Sequence, residues 1–393
     1  MSTAVIVDAV RTASGKGKPG GALSSVHPSD LLAQTLQGLL ARNDVDPASI
    51  DDIIAGCVSQ VGDQALNVAR TAALAAGLPE SVPGTTVDRQ CGSSQQAAHF
   101  AAQGVMAGAY DIVIACGVES MSRVPMGASS HGGDPAAPLA QRYPDGLIGQ
   151  GISAELIAAK WGLSRAALDE YSARSHELAA AAVASGRFDR ELLPIALPDG
   201  SVHTVDETLR DSTTAEGLGS LRTSFATPEF EKRFPQISWS ITAGNSSPLT
   251  DAASAVLIMS EERANELGLT PRARFHSFAV TGSDPLYMLT GVIPATQKVL
   301  ARAGLGIDDI DTFEVNEAFA PVPLSWLAET GADEKRLNPS GGAIALGHAL
   351  GASGTRLLTT MLTNLEATGG RYGLQTMCEG GGMANATIIE RLG

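Results

Sequence analysis

Short continuous apolar runs recur along the first third of the chain, separated by stretches with helical spacing. Ala4–Val10 reads as a buried strand, and His27-Pro28-Ser29-Asp30 opens an amphipathic helix that runs to about Arg42. Ile50–Val58 is a second strand signal, and Val61–Gly77 contains a helix ended by Gly77 and Pro79. A β-prone run, Gly84–Val87, leads into VDRQCGSSQQ (Val87–Gln96), followed by a small-residue helical stretch, Gln95–Ala107. Asp111–Cys116 is a continuous apolar strand of the kind buried on both faces. Strands alternating with helices predict a parallel or mixed α/β sheet.

The pattern changes at Met121. Met126–Gly151 is rich in Gly, Ser, Pro and Ala and reads as loop, and Pro194–Pro235 is loop-rich again. Between them Ser164 caps a helix from Arg165 to Ser185, stopped by Gly186. Roughly residues 120–250 therefore read as an insertion in a repeating core. The last third echoes the first. Leu40-Ala41-Arg42 before Ile50-Asp51-Asp52-Ile53 is matched by Leu300-Ala301-Arg302 before Ile307-Asp308-Asp309-Ile310. The Cys91 turn, its helix and the strand to Cys116 are matched by Gly347–Gly354, a helix to Thr368 and a strand at Gly373–Cys378. The order and spacing imply an internal duplication of one α/β unit.

Composition narrows the class. A chain of 393 residues with 44% hydrophobic and 18% charged residues can bury a large core in two or more domains. The apolar runs are far too short to span a bilayer, and the first residues show neither a basic region nor a long apolar one, so no signal peptide is expected. The terminal Glu390-Arg391-Leu392-Gly393 is no peroxisomal tripeptide. A net charge of −15 disfavours nucleic acid and anionic membranes, while leaving room for an anionic small molecule at a local basic patch. The four cysteines, Cys57, Cys91, Cys116 and Cys378, are widely spaced, which argues against a zinc site or a disulfide framework and for a reducing compartment. A cytoplasmic bacterial protein is the expectation.

Cys91 stands where a strand turns into a helix, beside unpaired N–H groups and the positive end of the helix dipole, a setting that favours the thiolate. Taken alone, a reactive thiol and an inert core cysteine both remain open there, whereas Cys57 and Cys116, inside apolar strands, read as inert. Four other stretches carry candidate chemistry: VNEAFA (Val315–Ala320), NPSGGAIALGHALGASG (Asn338–Gly354), CEGGG (Cys378–Gly382) and AGNSSPLT (Ala243–Thr250). Asn316-Glu317 could simply cap the next helix. The glycine clusters imply close approach of backbone to something. His348, set among glycines, is the best base for a thiol whose ordinary pKa is about 8.5; the six remaining histidines read as structural or surface residues. Backbone N–H groups at Cys91 and in the Gly380–Gly382 turn could receive a carbonyl oxygen, and Cys378 could exchange protons with a carbon acid. Two cysteines and one histidine fit acyl transfer coupled to carbanion chemistry.

With these residues in view the chain resembles the thiolases from Arg11-Thr12 to Ile388-Ile389-Glu390-Arg391. The specific matches are Cys91-Gly92-Ser93, Gly117–Ser122 (GVESMS), Asn316-Glu317-Ala318-Phe319, Gly341–His348 (GGAIALGH) and Cys378 with its glycines. The resemblance implies two similar α/β halves stacked as αβαβα layers: 1–119 with about 250–270, and 271–393, with a CoA-binding loop domain inserted at 120–249. It implies that Cys91, activated by His348, attacks the keto carbon of a 3-ketoacyl-CoA. Cys378 then protonates the departing acetyl-CoA carbanion, and CoA removes the acyl group from Cys91. In the synthetic direction Cys378 deprotonates acetyl-CoA. Asn316 would hold a water that forms one oxyanion hole with His348, and the N–H groups of Cys91 and Gly380 the other. Ser247, Ala243 and Gly244 would lie along pantetheine, Arg222 at the nucleotide end of CoA, and Met288 and Phe319 on the channel wall. Coenzyme A is then a co-substrate, with no resident cofactor and no metal; the expected partner is a second copy of the chain, in a dimer or tetramer built through the first-half sheets.

Departures bear on the substrate. Ala349 stands where proline is common after the histidine, Ala13 replaces the usual proline after Arg-Thr, and Pro248, Ala252 and Leu289 replace frequent glycines. Gln150-Gly151-Ile152-Ser153 lacks the His-Met pair of many short-chain acetoacetyl-CoA thiolases. The missing pair, with the Asn245-Ser246-Ser247-Pro248-Leu249-Thr250 variant, leans toward a degradative enzyme for bulkier fatty or cyclic acyl groups, such as steroid fragments, over a biosynthetic acetoacetyl-CoA thiolase. Ketoacyl and hydroxymethylglutaryl-CoA synthases lack the second cysteine in a CxGGG turn. A non-catalytic acyl-CoA- or lipid-binding relative would be expected to lose Cys91, His348 or Cys378.

Overall fold

The computed structural model describes residues 2–393; Met1, counted in the first half above, lies outside the described residues. The strand Ala4–Thr12 is buried along its whole length and pairs antiparallel with Thr250–Ser260. Outward from there the first half continues through Ile112–Ser120, Asp52–Gly56 and Thr85–Val87, the last three mutually parallel. The second half repeats this order and sense: Ala273–Gly282, Met383–Arg391, Tyr372–Glu379 and Thr312–Val315, with a single parallel bridge from Phe313 to Leu337 in the place of Thr85–Val87. The duplication read from the sequence is thus a duplication of topology. The halves meet where Val5 and Ile6 pair antiparallel with Arg274 and Ala273.

Helices Ser93–Met106 and Ser353–Thr368 form the layer between the two half-sheets. The first offers Ala97, Ala98, Ala101, Ala102 and Val105; the second offers Leu358, Met361, Leu362 and Leu365. Small residues facing large ones let the helices pack closely, and a methyl group at Gly354 would collide with the Gln95 backbone. Pro28–Ala41 and Val68–Ala75 cover the outer face of the first half, and Val292–Ala303 and Pro321–Thr330 that of the second. The stack is αβαβα.

Residues 121–249, between two first-half strands, dock on the second half. Ala154, Ile157, Leu168 and Tyr171 join its core, and Tyr171 and Ser175 donate to the Glu317 carboxylate at 2.9 and 2.7 Å. Back toward the first half, buried Arg11 pairs with Glu191 and Asp206. Breaking one partner of such a buried cluster strands the other charge, so the contact holds the insertion in register.

The structure corrects the loop reading of this region at its end. Gln150–Lys160 is a helix, and Gly151–Ala158 is buried throughout. Buried on all sides, it has no polar face and hence no helical periodicity to read. The helix foreseen within Val61–Gly77 is confined to Val68–Ala75, because Leu66 and Asn67 take positive φ and the Asn67 side chain caps it. Among the described residues no helix is long and apolar enough to cross a membrane.

Candidate active site

The turn after Thr85–Val87 is held by side chains. Asp88 accepts the Gln90 N–H at 2.7 Å, and Ser93 Oγ accepts the Arg89 N–H at 2.9 Å while donating to the Gln90 carbonyl at 2.6 Å. Gln90 sits in the left-handed region at φ 49°, which costs a non-glycine residue about 1 kcal/mol or more. This strained turn sets Cys91, only 3% exposed, against a cavity of about 680 Å³. Gln90, Gln150, Met126, Ile152, Phe225, Phe230, Phe319 and Leu350 line the same cavity. Phe225 and Phe319 pack edge to face at 6.2 Å, and a methyl group at Gly151 would collide with the Phe225 ring.

His348 arrives on the loop before Ser353–Thr368. The glycines of this loop do approach something closely, but it is the first half's backbone: a side chain at Gly351 would meet the carbonyls of Gly56 and Val118. The His348 N–H donates to Thr250 Oγ1 at 2.9 Å. Its Nδ1 lies 2.6 Å from Ser353 Oγ, which donates to the Ala349 carbonyl at 2.8 Å. With that hydrogen committed, Ser353 accepts from Nδ1–H, and the network assigns the lone pair to Nε2. Asn316 Nδ2 faces Nε2 at 3.4 Å, and Asn316 Oδ1, buried, has no protein partner. The neighbouring Glu317 is no cap; Tyr171, Ser175, Asn338 and the Ile344 N–H all donate to it.

Cys378, fully buried, is the last residue but one of the strand Tyr372–Glu379. Burial, followed by the nearness of Cys91 and Glu379, pushes its thiol well above the usual range. Burial and then Glu379 push the Cys91 thiol up to about 12; hydrogen bonding from Gln150 offsets part of this. Burial, aided by Arg356, lowers His348 to about 3. Burial thus opposes the thiolate that the turn position favours at Cys91, and favours the thiol at Cys378 and the neutral imidazole at His348. Among its hydrogen bonds His348 has none to Cys91, so proton transfer belongs to the moment of attack.

Gly380 lies beside Gln90 and Gln150: a Cβ there would sit 3.2 Å from Gln90 Oε1 and 3.4 Å from Gln150 Nε2. Of the remaining expected residues, Phe319 lines the cavity. Ser247 binds the Ala318 carbonyl through both N–H and Oγ, at 3.0 and 3.1 Å. Ala243 and Gly244 line a separate small cleft with Arg210 and Pro248. Arg222 is exposed, two residues before the cavity-lining Ser224. Met288 is buried in the second-half core and does not line the cavity, contrary to its expected place on the channel wall. Cys57 and Cys116 are fully buried, with thiols pushed up by burial. Gln150, Phe225 and Phe230 were missed by sequence reasoning, since nothing local marks the residues of the insertion that line the cavity beside Cys91.

Two family descriptions match almost the whole chain: the thiolase N-terminal domain over residues 4–262 and the thiolase C-terminal domain over residues 269–391. The chain is 51% identical to a steroid 3-ketoacyl-CoA thiolase, FadA6, of Mycobacterium tuberculosis, across 100% of this chain and 95% of that protein. It is 48% identical to a 3-ketoacyl-CoA thiolase of Pseudoalteromonas translucida, with both chains fully covered. Among solved structures it resembles an acetyl-CoA acetyltransferase of Bacillus anthracis, with a TM-score of 0.89 and 36% identity over 100% of this chain and 99% of the other.

Proposed function

The chain belongs to the thiolase family of acyltransferases, and on that premise we propose that it is a degradative 3-ketoacyl-CoA thiolase. It splits a 3-ketoacyl-CoA with CoA into acetyl-CoA and a shortened acyl-CoA. The reading is supported by the nearness of Cys91 and Cys378 together with a His348 whose basic Nε2 faces Asn316.

Cys91 passes its proton to His348 as Sγ bonds the keto carbon, and the N–H groups of Cys91 and Gly380 receive the oxyanion. The C2–C3 bond then breaks. Cys378 gives its proton to the acetyl-CoA carbanion, whose oxygen is held by the imidazolium and by a water on Asn316. The acyl-enzyme is left with a thiolate at Cys378. The incoming CoA thiol restores that proton, its sulfur displaces Cys91 from the acyl group, and the imidazolium returns the proton to Cys91.

The apolar cavity of about 680 Å³ beside Cys91 is large for an acetyl group and suits a fatty or cyclic acyl chain. The high identity to a steroid thiolase supports the cyclic class. The inserted residues 120–249, with Ser247, Ala243, Gly244 and Arg222, form the surface along which CoA lies. The edge strand Thr85–Val87, with Leu66 at 94% exposure and an exposed Phe100 in the same half, supports self-association through the first half. Four free cysteines suit the reducing cytoplasm. A thiolysis panel of short, long and cyclic 3-ketoacyl-CoAs tests the reading. Bulkier substrates should be cleaved with the higher kcat/KM. Cleavage of acetoacetyl-CoA alone would refute the substrate class, and no cleavage at all the activity.

A further inference from the structure

Glu379 follows Cys378 directly and has no place in the mechanism above. Its side chain is fully buried, and neither carboxylate oxygen has a hydrogen-bond partner among the described residues. As the next residue along the strand it projects to the opposite face from Cys378, toward the turn that carries Cys91. A methyl group added at Gly92 would collide both with Glu379 Oε1 and with the Asn385 side chain. Asn385 donates Nδ2–H to the Gly92 carbonyl at 3.0 Å, and its Oδ1 has no partner.

Few charged or titratable groups face Glu379. Asp88, Arg89 and Cys91 come from the turn before Gly92, and Cys378 from its own strand. Arg89 forms no hydrogen bond with the carboxylate. An ionised carboxylate buried without donor or paired cation is strongly disfavoured. The neutral acid has one O–H to give, and Asn385 Oδ1 is an unused acceptor against the same glycine. Burial is the main cause that pushes Glu379 up to about 8, with Arg89 opposing it.

We propose that Glu379 is a positioning residue for thiolysis: as the uncharged acid it leaves the negative charge that develops on Cys91 and Cys378 unopposed, and its ionisation at alkaline pH shuts the site down. The proposal rests on the thiolase reading above. Each thiolate forms only by passing its proton to a named acceptor, His348 or the acetyl carbanion. Glu379 exchanges no proton in turnover and acts through the field it does or does not impose. An added negative charge at this buried position would oppose both thiolates with little screening.

The test compares kcat/KM for thiolysis in wild type and Glu379→Gln, a neutral isostere, as a ratio in which ionisation of the CoA thiol cancels. The ratio of variant to wild type should be flat below about pH 7 and rise toward tenfold per pH unit above about pH 8. A ratio constant across that range overturns the proposal, because a purely structural loss would be independent of pH. Alkylation of Cys91 by iodoacetamide gives a readout that needs no turnover. The two pH profiles should coincide at neutral pH and diverge above about pH 8, with wild type the slower; profiles that stay superimposed overturn the proposal. Divergent alkylation without any thiolysis would leave Glu379 standing and sink the assigned reaction instead. Should the variant fail to fold, infrared spectroscopy of wild type decides: the carbonyl band of a buried protonated carboxyl should vanish as pH rises past about 8. A spectrum without that band at neutral pH overturns the proposal.

Discussion

Glu119 accepts the N–H of Gly351 at 2.8 Å, and through that bond a first-half strand holds the loop that carries His348. The same carboxylate accepts from the N–H groups of Val58 and Ser59 at 2.9 and 3.0 Å and from Gln64 Nε2 at 2.9 Å. One buried side chain thus collects donors from three separate segments, and Glu119→Ala would strand them all. The expected cost is about 3–5 kcal/mol, since each unsatisfied buried donor loses about 1–3 kcal/mol and water recovers part. A guanidinium chloride titration measures it; an unchanged midpoint would mean that water replaces the carboxylate fully.

Ser353 decides which nitrogen of His348 is basic. Without its hydroxyl, Nδ1–H loses its acceptor and the ring is free to take the other tautomer, which puts a hydrogen where the base must be. Ser353→Ala should lower kcat by about 10- to 1,000-fold, below the roughly 10⁴-fold that a wholly wrong tautomer has cost a catalytic triad. KM and the melting temperature should move little. Steady-state thiolysis with a circular dichroism melt separates these effects, and a variant with normal kcat would remove Ser353 from the mechanism.

Cys378→Ala should keep the nucleophile and lose the proton carrier. Cys91 in this variant should still take an acyl group from a simple acyl thioester, detected by intact mass and mapped by peptide digestion. Exchange of the acetyl-CoA methyl protons with deuterated solvent and thiolysis should both fall by at least about 100-fold, the lower range of general acid–base catalysis. An adduct mapped to Cys57 or Cys116 would contradict the assignment of Cys91, and ordinary thiolysis the role of Cys378.

What the sequence made legible was local. The Cys91 turn could be read because a strand end, a cysteine and small residues are contiguous, and the duplication because order and spacing repeat. The upward push on the Cys91 thiol could not, because it comes chiefly from burial by residues distant in the chain, with Glu379, 288 positions further along, behind it. Helix Gln150–Lys160 was hidden by burial on all sides. The glycines around His348 could be seen to need close approach, but their partners, Gly56 and Val118, belong to the other half.

The aromatic wall of the cavity depends on Gly151, whose missing side chain admits the Phe225 ring. Gly151→Ala should push Phe225 off its place against Phe319 and into the cavity. The expected result is a rise in KM of about tenfold for a cyclic or long 3-ketoacyl-CoA, the equivalent of about 1.4 kcal/mol, with acetoacetyl-CoA changed much less. Equal effects on both substrates would show that this wall does not touch the acyl group.

His99, on the central helix, is buried with Nε2 2.6 Å from Thr387 Oγ1 and its ring edge-on to Phe278 at 4.9 Å. Burial, aided by Arg89, lowers its pKa to about 3, against about 6.5 in the unfolded chain. A folded pKa below the unfolded one means that the unfolded state takes up the proton first as pH falls. The stability His99 contributes is therefore complete above about pH 6.5 and is lost as pH drops toward 3, by about 1.4 kcal/mol per pH unit. His99→Gln keeps a polar partner for Thr387 but cannot titrate in this range. Wild type should be the more stable at neutral pH, and its lead over the variant should shrink steadily from about pH 6.5 to about pH 4.5 in denaturant titrations. A lead that stays constant over that interval would mean that the buried ring is not held neutral.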